Sequence, residues 1–199
     1  MITLLKSGYW KIMQLFYKNK SSKLHLREIV RQTGLHAPSV TRFLRWLEQE
    51  HVLASEKDGN LKKYSILRNK RTYLLFEIFD VERFEKLPTQ RKNAIQQYLR
   101  KLTEQPVFAV IFGSTAKETF SKFSDIDILL IGNRRINTDD AEKEADALSA
   151  VKISTFQMNY NEFIREIKLK EDKVIQSALA TGYPLINHIA YYEALNERI

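Results

Sequence analysis

Residues 112–132 read FGSTAKETFSKFSDIDILLIG. The apolar run Val107 to Phe112 ahead of this stretch reads as a buried strand, and Ile128 to Ile131 at its end reads as a second. Between them stand Gly113-Ser114, a short polar helix expected from Thr115 to Phe120, and Ser124-Asp125-Ile126-Asp127. Residues two apart on a strand project to the same side, so Asp125 and Asp127 are expected to point together out of an apolar element. Two carboxylates that close repel unless a cation lies between them or one is protonated. Mg²⁺ supplies that compensation and is typically held by one or two carboxylates plus substrate phosphates. Gly113 permits close backbone approach, and Ser114 with the following helix start can meet a phosphate. The pattern is that of a metal–nucleotide cradle.

The same series, Gly-Ser, about ten residues, then Asp-x-Asp between hydrophobic strands, resembles the nucleotidyltransferase superfamily related to DNA polymerase beta and kanamycin nucleotidyltransferase. It is most similar to the minimal, single-domain prokaryotic branch. The resemblance implies a mixed sheet flanked by helices and transfer of a nucleoside monophosphate from NTP to an acceptor hydroxyl. It also implies that Asp125 and Asp127 are catalytic and ligate Mg²⁺, while Gly113 and Ser114 bind the nucleotide triphosphate. The chain departs from the family pattern in two places. A third carboxylate belongs on a later strand, here expected at Val151 to Met158, but that segment holds no Asp or Glu; Ser154 or Gln157 takes its place. The family's Ala-Arg-Gly after Gly-Ser is Ala116-Lys117-Glu118 here. Glu162 reads as part of an Asn-led capping box with Asn159, and Asp146 as a solvent-side helix residue. A two-carboxylate site can bind a nucleotide while phosphoryl transfer is slow or absent.

Working back toward the N-terminus, charge separates the chain. Residues 1–70 carry 14 Lys+Arg against 5 Asp+Glu, a net +9, while residues 71–199 carry 18 against 19, a net −1. Such a concentrated excess suits a polyanion-binding module. Tyr9, Ile12, Met13 and Phe16 recur at helical spacing; Leu24-His25-Leu26 alternates as a short strand; Leu26, Ile29 and Val30 mark a helix that stops at Thr33-Gly34. A third helix is expected from Ala37-Pro38, with Val40, Leu44 and Leu47 inward. Two extended segments, Val52 to Glu56 and Leu61 to Leu67, flank Lys57-Asp58-Gly59-Asn60, whose Asp-Gly is a hairpin signal.

LREIVRQTGLHAPSVTRFLRWLEQEHVLASEKDGNLKKYSI resembles the winged helix-turn-helix domains of prokaryotic transcription regulators, matching at Gly34, Val40, Arg42, Leu44 and Leu47. The resemblance implies that the third helix enters the major groove of double-stranded DNA. Ser39 and Thr41 would then reach bases or phosphates, Arg42 and Arg45 would pair with guanine or phosphate, and Lys57, Lys62 and Lys63 would hold the backbone.

Between the halves, Arg71 to Leu87 reads as a helix broken by Pro88, with a second helical pattern through Leu102. The first is aromatic and apolar nearly all round, which predicts burial on more than one side, through domain packing or a homodimer. After the third strand, helices are expected at Asn161 to Leu169, Glu171 to Ala180 and Ile189 to Leu195.

The expected fold class is therefore α/β (α+β): an N-terminal winged helix-turn-helix over residues 1–70, connecting helices over 71–104, and a nucleotidyltransferase-like domain over 105–199. The 44% hydrophobic content supports a folded core, and the lack of cysteine excludes disulfide scaffolds and thiol catalysis. The run Val107 to Phe112 is far too short to span a bilayer, and MITLLKSGYW is a poor signal peptide, so a cytoplasmic protein without membrane partners is expected. The functional expectation is a DNA-binding transcription regulator whose second domain binds a nucleotide, with possible Mg²⁺, or a partner protein. The alternative is an active Mg²⁺-dependent nucleotidyltransferase acting on a protein, nucleic acid or small molecule, including a toxin–antitoxin component.

Overall fold

The computed structural model describes residues 8–198; the segment MITLLKS at 1–7, on which most of the signal-peptide reading falls, lies outside the described residues. The chain divides into two compact units, Met1–Phe79 and Asp80–Ile199.

The first unit is built from α1 (Gly8–Lys18), β1 (Leu24–His25), α2 (Leu26–Thr33), α3 (Ala37–Gln49), β2 (Leu53–Asp58) and β3 (Leu61–Ile66). The strands form an antiparallel sheet in the order β1-β3-β2. Ile12, Met13, Phe16, Ile29, Val40, Leu44 and Leu47 are all buried, so the inward residues expected on α3 do form part of the core. Two glycine turns set the path of the chain, one between α2 and α3 and one between β2 and β3. Gly34 stands in the left-handed region at φ 65° and donates its N–H to Val30 O, ending α2. The β2–β3 strands run further than expected, to the Asp58↔Leu61 pair, leaving only Gly59 and Asn60 in the turn. Gly59, at φ 58°, takes the strained position.

Helix α4 (Lys70–Glu85) contains the division between the units. Within the first unit, Phe79 stacks on Trp10 with ring centroids 4.0 Å apart and on Tyr17 at 5.0 Å. Burial does not extend all round the helix, because Leu74 and Val81 are 51% and 46% exposed.

The second unit continues with α5 (Thr89–Lys101), β4 (Phe108–Phe112), α6 (Gly113–Lys117), β5 (Ile126–Gly132), α7 (Asp139–Ser149), β6 (Ile153–Asn159), α8 (Tyr160–Leu169), α9 (Lys173–Thr181), β7 (Tyr183–Ile186) and α10 (His188–Ala194). A short 3₁₀ turn, Leu195–Arg198, follows. The sheet order is β6-β5-β4-β7, with β5 and β6 parallel and the other pairs antiparallel. Alternate residues serve its two faces. Ala109, Ile111, Ile126, Ile128, Leu130 and Ile153 join Ala94, Ile95 and Tyr98 of α5 and Ala141 and Ala145 of α7 in one core. Phe108, pointing the other way, meets Phe163 of α8 at 5.3 Å and Tyr191 of α10 at 5.6 Å. Burial on both faces is why β4 and most of β5 read as unbroken apolar runs.

Strand β7 lies where the sequence shows only a helix ending at Thr181-Gly182-Tyr183-Pro184. It pairs with β4 at the sheet's edge, the place where a strand tolerates proline. The mixed α/β (α+β) class expected from the sequence is the one observed.

Candidate functional site

Asp125 immediately precedes β5, and Asp127 is its second residue, paired with Phe112 on β4 and with Ser154 on β6. Apolar β5 thus opens at its N-terminal end with two partly exposed carboxylates. Burial, and next the neighbouring charge of Asp125, hold the Asp127 carboxyl above its ordinary value. Gly113 stands beside them at φ 65°, and a Cβ on it would overlap the Asp127 carboxylate. The expected close approach at this glycine is therefore made by the protein's own acid.

Two further groups touch Asp125. The Ser154 hydroxyl donates to Asp125 Oδ2 at 3.2 Å, and Lys152 Nζ lies 3.7 Å from the same oxygen. The Lys152 side chain is 68% exposed, so this pair is loose, solvent-screened and displaceable. Of the two positions considered for the missing third carboxylate, Ser154 is the one that faces the pair. Gln157 is committed elsewhere: its amide donates to Ile136 O and accepts from Ile136 N, both at 2.9 Å, pinning the loop after β5. Glu162 accepts from Asn159 N in the capping box of α8, and Asp146 is exposed on α7. Among the described residues no cluster of three or more His, Cys, Asp or Glu is placed to hold a metal. Two adjacent carboxylates, with the Asp127 carboxyl raised by burial and next by the charge of Asp125, nevertheless fit a hard divalent cation whose remaining ligands are phosphate and water oxygens.

Helix α6 is a single turn, Gly113–Lys117, rather than the longer helix expected. Glu118 ends it at φ 60°, a conformation that glycine adopts without strain. This is where the resemblance calls for glycine in Ala-Arg-Gly. The loop beyond rests on a residue that the sequence does not single out: Arg91 of α5, 4% exposed, whose guanidinium donates to Thr115 Oγ1 at 2.7 Å and to Ser124 O at 2.6 Å. Arg83 holds the other side of α6, donating to Ala116 O at 2.8 Å and lying 4.0 Å from the centre of the Tyr183 ring.

In the first unit, Thr41, Arg42 and Arg45 of α3 are exposed and Ser39 is half-buried. Thr41 returns its hydroxyl to Ala37 O at 3.0 Å, and Arg42 lies over the Phe43 ring. Lys57 is exposed on β2, in register with Lys62 on β3. Lys62 donates to Glu48 Oε2 at 3.0 Å, and Lys63 is paired with Asp58, so two hairpin lysines are engaged within the chain. Exposed Arg27 and Arg31 on α2 add cations that residue-by-residue reading of α3 passes over.

Residues 93–188 match the family model described as Polymerase beta, Nucleotidyltransferase, a stretch that contains the Gly-Ser and both aspartates. No curated protein matches the chain. Among solved structures, one described as TrmBL2, an archaeal chromatin protein with a novel mode of DNA binding, is similar at 21% identity. The match covers 90% of this chain and 73% of that one, with a TM-score of 0.29.

Proposed function

We propose that the protein is a cytoplasmic DNA-binding transcription regulator whose nucleotidyltransferase-like part binds a nucleotide with Mg²⁺ and is slow or silent in nucleotidyl transfer. The observation that carries this reading is the pair Asp125 and Asp127 set beside Gly113, with a serine where a third carboxylate would stand. Asp125 and Asp127 would hold the cation, and Gly113 and Ser114 the phosphates. Bound there, Mg²⁺ supplies charge neutralisation and a template for the phosphate chain. Ser154 has no charge to add to the metal site and is a far weaker base than a carboxylate, which favours binding over turnover.

On this reading residues 1–70 form the DNA-binding domain, 71–104 the connecting helices and 105–199 the nucleotide-binding domain. Ser39, Thr41, Arg42 and Arg45 face the duplex, with Lys57, Lys62 and Lys63 on its backbone, and a homodimer serves paired half-sites. What supports the DNA part is the exposed cationic side of α3 within a unit of net positive charge.

Calorimetry with ATP and GTP in the presence of Mg²⁺ tests the nucleotide reading. Binding by the wild type that Asp125→Asn with Asp127→Asn abolishes is the expected result, and no binding by the wild type refutes it. Transfer of label from α-labelled NTP to any acceptor would put the working nucleotidyltransferase ahead.

A further inference from the structure

The two halves of the candidate site, Gly113-Ser114 after β4 and the carboxylates opening β5, are joined by the segment from Glu118 to Ser124. Part of its shape is internal: Ser121 N donates to Ser124 Oγ at 2.9 Å, and Ser124 N donates to Ser121 O at 3.2 Å. The rest comes from beneath. Arg91 Nη1 donates to Thr115 Oγ1 at 2.7 Å and to the Asp125 carbonyl at 3.5 Å, while Nη2 donates to the carbonyls of Ser124 at 2.6 Å and Ser121 at 3.2 Å. The Phe120 ring lies 4.1 Å from the guanidinium carbon. One planar, two-pronged cation thus spans both halves, and its acceptors are a hydroxyl and three carbonyls.

We infer that Arg91 is the positioning residue of this site: its fork sets the spacing between the Gly113-Ser114 turn and the Asp125–Asp127 pair, and so decides whether a cation on the acids and a phosphate on the turn fit at once. The functional half of this inference rests on the nucleotide reading above. Lysine keeps the charge but, as a compact head, cannot reach Thr115 and the Ser121 and Ser124 carbonyls together. Methionine fills the volume but donates nothing, so Ser124 O and Thr115 Oγ1 lose the donor that Arg91 supplies, while Ser121 O keeps only its bond from Ser124 N.

The test uses the full chain and its Arg91→Lys and Arg91→Met variants. Hydrogen exchange is followed over residues 118–125 and, as a control on global folding, over the centres of β4 and β5. Mn²⁺ binding is read by electron paramagnetic resonance. In Arg91→Met the segment is expected to exchange at least about tenfold faster with unchanged protection at Val110 and Leu129, and Mn²⁺ to bind at least about tenfold more weakly, as expected for lost hydrogen bonds to a charged donor. Arg91→Lys is expected to loosen the segment too, with Mn²⁺ affinity reduced by about threefold, and it carries the test if the methionine variant does not fold. Exchange within twofold of wild type in both variants overturns the positioning role, as does loosened exchange with unaltered Mn²⁺ affinity. A wild type that binds no Mn²⁺ sinks the metal reading and the functional half with it, whatever the exchange pattern shows.

Discussion

The carboxylate of Asp127 rests on the α-carbon of Gly113, filling the space that any side chain there would need. The contact runs between the end of β4 and the start of β5, one residue beyond the Phe112↔Asp127 pair. Gly113 is doubly constrained, because its φ of 65° is also unfavourable for a residue with a Cβ. Gly113→Ala is expected to cost about 2 kcal/mol or more, the scale of an incompatible backbone plus a clash. It should also displace Asp127 and weaken Mg²⁺-nucleotide binding. Denaturant unfolding and calorimetry check the two effects; a variant as stable as wild type would mean that the acid has room elsewhere.

Ser154 faces Asp127 across a parallel strand pair, and its hydroxyl already touches Asp125. Ser154→Asp should therefore complete a three-carboxylate set. We expect Mn²⁺ affinity to rise by about tenfold or more with the added ligand charge, while the metal-free protein loses stability through like-charge repulsion. Metal titration and thermal melts in chelator measure both, and unchanged affinity would place residue 154 outside the metal's reach.

The raised Asp127 carboxyl makes stability depend on pH. In a metal-free protein the folded state takes up this proton at higher pH than the unfolded chain, whose value lies near 3.8. The contribution is complete below that value and disappears as pH rises through the folded one. Asp127→Asn is expected to flatten this part of the profile and to raise stability at neutral pH without metal. Melting curves from about pH 4 to 7 in chelator, a range set by ordinary carboxylate values, decide it.

The hairpin lysines are unequal. Replacing both Arg42 and Arg45 with alanine should weaken duplex binding and reduce the slope of log affinity against log salt by about 2, if each neutralises one phosphate. Lys62→Ala should do less, because Glu48 already engages that ammonium at 3.0 Å. Glu48→Gln, which releases it, should tighten binding. Fluorescence anisotropy over a salt series reads all three, and an Arg42/Arg45 variant with wild-type affinity would remove DNA from this face.

Local rules carried the sequence reading where the physics is local. Gly34 and Gly59 take the left-handed conformations that turns demand, and Asn159 with Glu162 forms the expected capping box. The apolar run at Val107 to Phe112 and the placement of Asp125 and Asp127 at a strand's start are likewise legible, since burial and period-two alternation leave direct marks. Non-local contacts leave none. Choosing between Ser154 and Gln157 requires the β5–β6 register, and β7 hides behind Pro184 because only its edge location makes proline acceptable. Arg91 lies in the polar sequence Thr89-Gln90-Arg91-Lys92-Asn93, where one arginine looks as solvated as the lysine after it. Only the fold reveals that it is 4% exposed.

Pro184 has one more effect. An outer strand normally offers an uninterrupted row of donors and acceptors to any extended chain that meets it, which is how sheets grow into aggregates. With no N–H at Pro184, the four-residue β7 has one donor fewer than a full strand, and a border so short makes a poor template for additional strands.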